Sequence, residues 1–398
     1  MTDRDTGLRS AINGVIDEAV ETRRTLHRHP ELSFAEHDTA EMVAGRCEAL
    51  GYAVRIGVGL DTAVVADLDS GRPGPTVMVR ADTDALPINE RGADRPFVST
   101  VEGAMHACGH DGHVAIALGV AAVLSSLRDS WSGHVRLCFQ PAEEVAGGAL
   151  PMIVAGADDG VDRVLGIHLW SPLQVGHVAV TEGPVFGSAD EFAIVVRGRG
   201  GHGGMPHKSV DAIVAAAQVI TALQTVVSRE TSPFEPAVVT IGTINGGAAF
   251  NVIAEEVELR GTVRAMRHDE RERILRRVAE VASLTATALR CEAVFERRAG
   301  CPPVLSDAGS AELVRRAAAA TVGEGNVDVA RPVTVGDDVA FFLERKPGCY
   351  FLVGAGDVAH HPVAPHHHPE FDIDERCLPV GIETLTRAAL LALEPAAG

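Results

Sequence analysis

Four short apolar runs punctuate the chain: Thr76–Val79, Val135–Phe139, Val164–Ile167 and Cys349–Val353. They are rich in β-branched and aromatic residues and lack the alternation of a half-exposed strand, which predicts buried strands of a parallel sheet. Helical patterns lie between several of them. One follows His113 as VAIALGVAAVLSSL, and another runs from Leu8 to Leu26 with Leu8, Ile12, Val15 and Ile16 on one face. Strands alternating with helices predict an α/β fold with an open, mostly parallel sheet, whose ligands gather at the carboxyl ends of the strands.

From about Ser188 to Arg298 the pattern changes to strand, helix, strand, strand, helix, strand. The segments are DEFAIVVRG, Val210 to Val227, AVVTIGTING, VELRGTVRAM, a charged stretch from Asp269 to about Leu289, and CEAVFERR. That order predicts a ferredoxin-like α+β domain inserted into the α/β one. The expected division is 1–187 and 301–398 for a catalytic domain and 188–300 for the insert, which suits a length of 398 residues.

Composition narrows the function classes. Hydrophobic residues make up 46% and charged residues 22%, the balance of a globular chain rather than a disordered or fibrous one. The polar start MTDRDTGLRS lacks the apolar core of a secretory signal, and no apolar run is long enough to span a bilayer, so the expectation is a soluble cytoplasmic protein. Seven scattered cysteines, an odd number with no CxxC pair, point to reduced thiols. A formal charge of -19 argues against nucleic acid and anionic membranes as partners.

Candidate chemistry is concentrated in a few motifs. Met105 to His113 reads MHACGHDGH, a thiol, three imidazoles and a carboxylate just before a predicted helix. Those donors suit a borderline-soft divalent metal, or else Asp111 caps the helix and the histidines are solvated. His106 and His113 are better read as structural or supporting. Glu143 and Glu144 in FQPAEE leave a predicted strand, either as a solvated turn or as a metal ligand beside a proton-accepting base. His168 ends an apolar strand in GIHLW, where a satisfied core histidine is the alternative. Asp82 and Asp84 in ADTDALP either bind metal, orient a ligating histidine through its other ring nitrogen, or form a turn. The histidine-rich run from His360 to Pro369 contains three adjacent histidines, His366 to His368, which form a metal site or an adventitious surface cluster. In the predicted insert, GRGGHGGMPH is a glycine-rich turn presenting His202, without the spacing of a phosphate-binding loop. Asn251 and Arg264 are an amide and a fixed cation suited to a carboxylate or a developing oxyanion, although arginines on strands are commonly plain surface residues.

Taken in order, RRTLHRHPELSFAE, ADTDALPINE, MHACGHDGH, FQPAEE, GIHLW, GRGGHGGMPH, NVIAEEVELRGTVR and HHPEFDIDE resemble the M20 metallopeptidase family. The similarity runs from about Arg23 to about Glu375 and is strongest to the branch of amidohydrolases acting on N-acyl amino acids, hippurate and auxin–amino acid conjugates. It implies two divalent metal ions (Mn, Zn, Co or Ni), with Cys108 shared by both and His110, Glu144, His168 and His367 completing the site. His367 is chosen because the family's closing His-x-Pro-x-Phe falls on His367, Pro369 and Phe371. The resemblance further implies Glu143 as base, His202 as the catalytic histidine of a lid that also dimerises the protein, and Asn251 and Arg264 as substrate-binding residues. Two departures stand out: Asp337-Asp338-Val339 where the family commonly has Glu-Asp-Phe, and Asp61-Thr62-Ala63 where it has a Thr-Gly pair. Both bear on substrate preference rather than on ligands.

The expected reaction is hydrolysis of R-CO-NH-CHR'-COOH to an acid and an amino acid by a homodimer or a tetramer built on it. A dipeptidase or aminoacylase of the same fold, and a non-catalytic metal-binding regulatory protein, are the rival readings.

Overall fold

A computed structural model describes residues 3–92, 97–357 and 364–394. The chain divides into two compact units, one comprising 1–185, 305–331 and 338–398 and the other 186–304 and 332–337.

The larger unit holds an eight-stranded sheet in the order Ala53–Ile56, Val64–Asp69, His134–Gln140, Thr76–Asp82, Arg163–Gln174, Gly348–Gly356, Val178–Val180, Val327–Val329. Its four central strands are mutually parallel and contain the four apolar runs of the sequence. Both faces are covered. Val77, Val79, Val135, Leu137 and Leu165 point into one cluster and Met78, Cys138 and Val164 into another, which is why these strands show no polar alternation.

The helix His110–Ser126 is buried along nearly its whole length and packs against the helix Cys377–Ala392. The close approach needs small residues. A Cβ on Gly119 would lie 2.6 Å from Ile382 Cδ1, and one on Gly381 2.5 Å from Ile116 Cδ1. The N-terminal pattern is two helices, Asp3–Asn13 and Ile16–Arg28, rather than the single helix expected from Leu8 to Leu26. The break falls at Gly14, whose helix propensity is poor, and both halves still bury apolar positions such as Leu8 and Leu26.

In the second unit a four-stranded antiparallel sheet runs Ala237–Gly246, Glu256–Ala265, Ala189–Arg197, Glu292–Cys301, with helices Ala212–Ser228 and His268–Ala288 following the first and third of its strands in chain order. This is a βαββαβ arrangement. Its core joins Phe192, Ile194 and Val196 to Val219, Leu223, Ile274 and Val278 of the helices. Asp211 starts the first helix by accepting the N–H groups of Ile213 and Val214 at 2.9 and 3.2 Å. No helix among the described residues is long and apolar enough to cross a membrane.

Candidate functional site

The candidate residues of the larger unit meet at the carboxyl ends of its parallel strands. Asp82 and Gln140 end two neighbouring strands and are paired in register. Directly beyond Gln140 the chain enters a short turn, Glu143–Val145, opened by Ala142 in the left-handed conformation (φ +54°). Asp84 fixes this turn: its Oδ1 accepts the Glu143 N–H at 3.1 Å, its Oδ2 the Glu144 N–H at 3.0 Å, and the Ser33 hydroxyl donates to Oδ2 at 2.7 Å.

The motif MHACGHDGH lies partly inside a helix rather than wholly before it. The helix starts at His110 because Gly109, at φ +91°, takes the left-handed position that ends the preceding loop. The first turn therefore aims His110 and His113 at the strand ends. His110 Nδ1 faces the Asp84 carbonyl at 2.9 Å, and its Nε2 lies 3.8 Å from carboxylate oxygens of Asp82, Glu143 and Glu144. His168 directs Nε2 at Cys108 Sγ, 3.6 Å away, while its Nδ1 faces the Leu169 carbonyl at 2.9 Å. His113 has both ring nitrogens engaged, Nδ1 with Asp82 Oδ1 at 2.6 Å and Nε2 accepting the Leu169 N–H at 2.9 Å. It thus clamps the strand of His168 to the helix of His110. Asp111 Oδ1 accepts the first-turn Gly112 N–H at 2.9 Å, while its Oδ2 receives Arg23 Nε at 3.0 Å and faces His27 Nδ1 at 2.8 Å, tying the same turn to the helix Ile16–Arg28.

The three adjacent histidines divide their tasks. His366 stacks on Trp170 with ring centroids 4.7 Å apart and meets the Leu169 carbonyl at 3.0 Å. His367, held at φ +65° and 54% exposed, brings Nε2 to 3.4 Å from Glu144 Oε2, while its backbone N–H donates to Ala107 O at 2.8 Å. His368 Nδ1 accepts the Glu370 N–H at 3.2 Å. The beginning of that run, His360 to Val363, lies outside the described residues.

Electrostatics mark this cluster as one that would welcome a cation. His110 Nε2 and Glu144 Oε1 are buried without a hydrogen-bond partner among the described residues, as are both ring nitrogens of His106. Burial, opposed by His110 and reinforced by Asp84 and Asp82, pushes the Glu144 carboxyl up to about 7. Burial likewise pushes the Cys108 thiol well above its ordinary range, with the Glu144 charge adding to it. His110 moves upward although burial opposes it, because Asp82 and Cys108 favour its charged form. His168 is driven well below the usual imidazole value by burial and by neighbouring histidines. Ligand atoms of Cys108, His110 and His168 lie within 4.8 Å of one another, and so do those of Cys108, Glu144 and His367. Cys108 is common to both triads.

Beneath the strand ends lies a buried network that the sequence reading did not find. Arg80 donates to Asp82 at 2.6 Å, Gln140 at 2.9 Å and Asp338 at 3.3 Å. Asp338 in turn accepts the N–H groups of Gly148 and Ala149, just past the Glu143 turn. One signal was present: Asp338 is the position of Asp337-Asp338-Val339 that keeps the aspartate of the family's Glu-Asp-Phe.

His202, Asn251 and Arg264 belong to the second unit. The glycine-rich segment is more than a turn: Gly201–His202 forms a two-residue strand paired with Val252–Ile253, and the Gly203 N–H donates to Asn251 O at 2.8 Å. His202 and Asn251 are therefore neighbours. His202 Nδ1 accepts the Gly204 N–H at 2.9 Å, which leaves the ring proton on Nε2 at an exposed position. Arg264 is half-buried on the strand Glu256–Ala265 and bonds Val263 O and Thr262 Oγ1.

Fold and cluster together define a class, an α/β protein whose strand ends carry thiol, imidazole and carboxylate donors suited to divalent metal. The sequence model of peptidase family M20/M25/M40 matches residues 78–391, and this chain belongs to that family. It is 37% identical over 383 residues to thermostable carboxypeptidase 1 of Saccharolobus solfataricus, covering 94% of this chain and 95% of that one. It is 38% identical over 375 residues to N-acetylcysteine deacetylase of Bacillus subtilis, covering 94% and 97%. Among solved structures, a Bacillus subtilis protein described as a dinuclear metal binding peptidase from the M20 family superposes with a TM-score of 0.84 at 34% identity, covering 96% of this chain and 99% of that one.

Proposed function

We propose that this chain hydrolyses the amide bond of N-acylated amino acids, releasing a carboxylic acid and an amino acid. Two divalent metal ions are held by Cys108, His110, Glu144, His168 and His367. The observation that carries this reading is the pair of donor triads sharing Cys108; Glu143 is in neither, and meets them through a further group with His110 and Glu144. Buried nitrogen and oxygen atoms with no protein partner are costly, and a cation removes that cost. Bound metals would supply Lewis acidity toward the amide carbonyl and acidify water in the site.

Glu143 takes the proton of the attacking water and delivers it to the leaving amine. Asp84 keeps Glu143 and Glu144 in distinct directions through their amides, and Asp82 acts through His113 on the strand that presents His168. The relatives support the substrate class. The two activities named, carboxypeptidase and N-acetylcysteine deacetylase, both cleave an amide whose nitrogen belongs to an amino acid with a free carboxylate.

We assign recognition of that carboxylate to Asn251 and Arg264, and stabilisation of the developing oxyanion to the Nε2 proton of His202. The second unit serves as a lid and dimerisation domain. Its strand Ala237–Gly246 lies at the edge of its sheet and is exposed over its second half, as a strand awaiting a partner would be.

A panel of hippurate, N-acetyl amino acids and dipeptides, assayed with added manganese, zinc, cobalt or nickel, tests the proposal. Turnover of acyl amino acids well above dipeptides is expected. Dipeptides as the better substrates would favour a dipeptidase, and stoichiometric metal without any turnover a regulatory protein.

A further inference from the structure

The turn that carries Glu143 is held by two buried carboxylates, and only one of them belongs to a motif already assigned a role. Three consecutive amides are captured: Ala142 N–H by Glu36 Oε1 at 2.9 Å, and Glu143 N–H and Glu144 N–H by the two oxygens of Asp84. Glu36 is fully buried, lies 106 residues away in sequence from Ala142, and receives two further donors, the Phe34 N–H at 3.0 Å and the Thr62 hydroxyl at 2.8 Å. A carboxylate taken out of water in this way is retained only if its lone pairs are used, and here three donors use them.

We infer that Glu36 is a positioning residue that aims Glu143, an inference that rests on the reading of Glu143 as general base. The peptide plane before Ala142 is pinned by Glu36 and the plane after it by Asp84, so both backbone angles of Ala142 are fixed. They are fixed in the left-handed region, which an alanine does not adopt unaided. Without Glu36 the first plane is released and Ala142 relaxes, swinging Glu143. Both glutamate amides keep their bonds to Asp84, so the displacement is graded: Glu143, whose peptide plane adjoins Ala142, moves more than Glu144, one residue further on. Glu36 therefore acts more strongly on the base than on the neighbouring metal ligand. The Thr62 hydroxyl braces Glu36 from behind, which gives Asp61-Thr62-Ala63 a role in catalytic geometry.

The test compares Glu36→Ala and Glu36→Gln for kcat, KM and metals per chain. With alanine, kcat should fall about 10²-fold, the scale of an ångström-sized misplacement, while KM and metal content hold. Glutamine should recover most of the loss, since its carbonyl can still accept from Phe34 and Ala142 and its amide can donate to Thr62. A folded Glu36→Ala protein with normal kcat overturns the inference, as does a loss that tracks metal content or a glutamine variant no better than alanine. Should Glu36→Ala fail to fold, Thr62→Val carries the test, with kcat expected to drop about threefold to tenfold at full metal content and an unchanged kcat overturning it. Glu143→Gln is assayed in parallel. If it keeps normal turnover, the base reading falls and this one with it. If it is dead and metal-loaded while Glu36→Ala keeps normal kcat, only the positioning role falls.

Discussion

Cys108 Sγ and His168 Nε2 face each other 3.6 Å apart in a buried corner of the site, and His168 is kept neutral there by burial and by neighbouring histidines. A neutral imidazole aimed at a sulfur is half of a metal site, and the Cys108 thiol is a poor start for a nucleophile, because burial and the Glu144 charge hold it protonated despite His110 nearby. Cys108→Ala should accordingly lose metal and activity together, seen as metal content after dialysis alongside turnover. A variant that kept two metals per chain and lost only turnover would require a covalent mechanism.

Metal binding should release protons, and more of them in mild acid. In the metal-free site the Cys108 thiol and the His110 imidazolium are both shifted toward holding their protons, and Glu144 is raised to about 7. Below pH 7 the metal must displace the Glu144 proton as well, so about one more proton per chain is released there than above it, and apparent affinity falls more steeply with acidity on that side. Calorimetric titration with manganese or zinc at pH 6 and pH 8, in buffers of different ionisation heat, counts these protons. Equal release at both values would remove Glu144 from the set of ligands.

Much of the scaffold was legible because it is written in local patterns. The four central strands are continuous apolar runs, since both faces of each are covered, and that signal survives without knowledge of neighbours. Cys108 and His110 stand out because thiol and imidazole donors are rare at the density of MHACGHDGH, whereas Glu144 is marked only by the family resemblance. What escaped are relationships between a side chain and a distant backbone. Nothing about the residue type of Ala142 reveals that its amide meets Glu36, and although the Asp84 carboxylate does lie 3.4 Å from His110 Nδ1, as a histidine-orienting residue should, its hold on two glutamate amides has no mark in the sequence. The pairing of His202 with Val252 was hidden likewise, because two-residue strands have no periodicity.

If the second unit works as proposed, His202 completes the site of the other subunit of a homodimer. Losing an oxyanion donor typically costs about 10²–10³ in turnover, so His202→Ala and Glu143→Ala should each be nearly inactive. Mixed dimers carrying one of each should regain activity, because one of their two sites is then intact. Verified mixed dimers with no recovery would place His202 within its own subunit's site or outside catalysis.

The two adjacent glutamates should fail in different ways. Asp84 takes the amide of each on a separate oxygen, and His367 Nε2 stands 3.4 Å from Glu144 Oε2, on the side of the second donor triad. Both glutamates approach His110 Nε2 to 3.8 Å, but only Glu144 also shares a triad with Cys108 and His367. Glu143→Gln removes a proton acceptor and no ligand, so it should keep its metal and bind substrate while losing roughly the 10²–10⁴-fold contribution of acid–base catalysis. Glu144→Gln should bind metal weakly and regain part of its rate in excess metal. Metal content after dialysis, followed by rate against added metal, separates the two. A metal-poor, metal-rescued Glu143→Gln beside a metal-replete, inactive Glu144→Gln would exchange the roles.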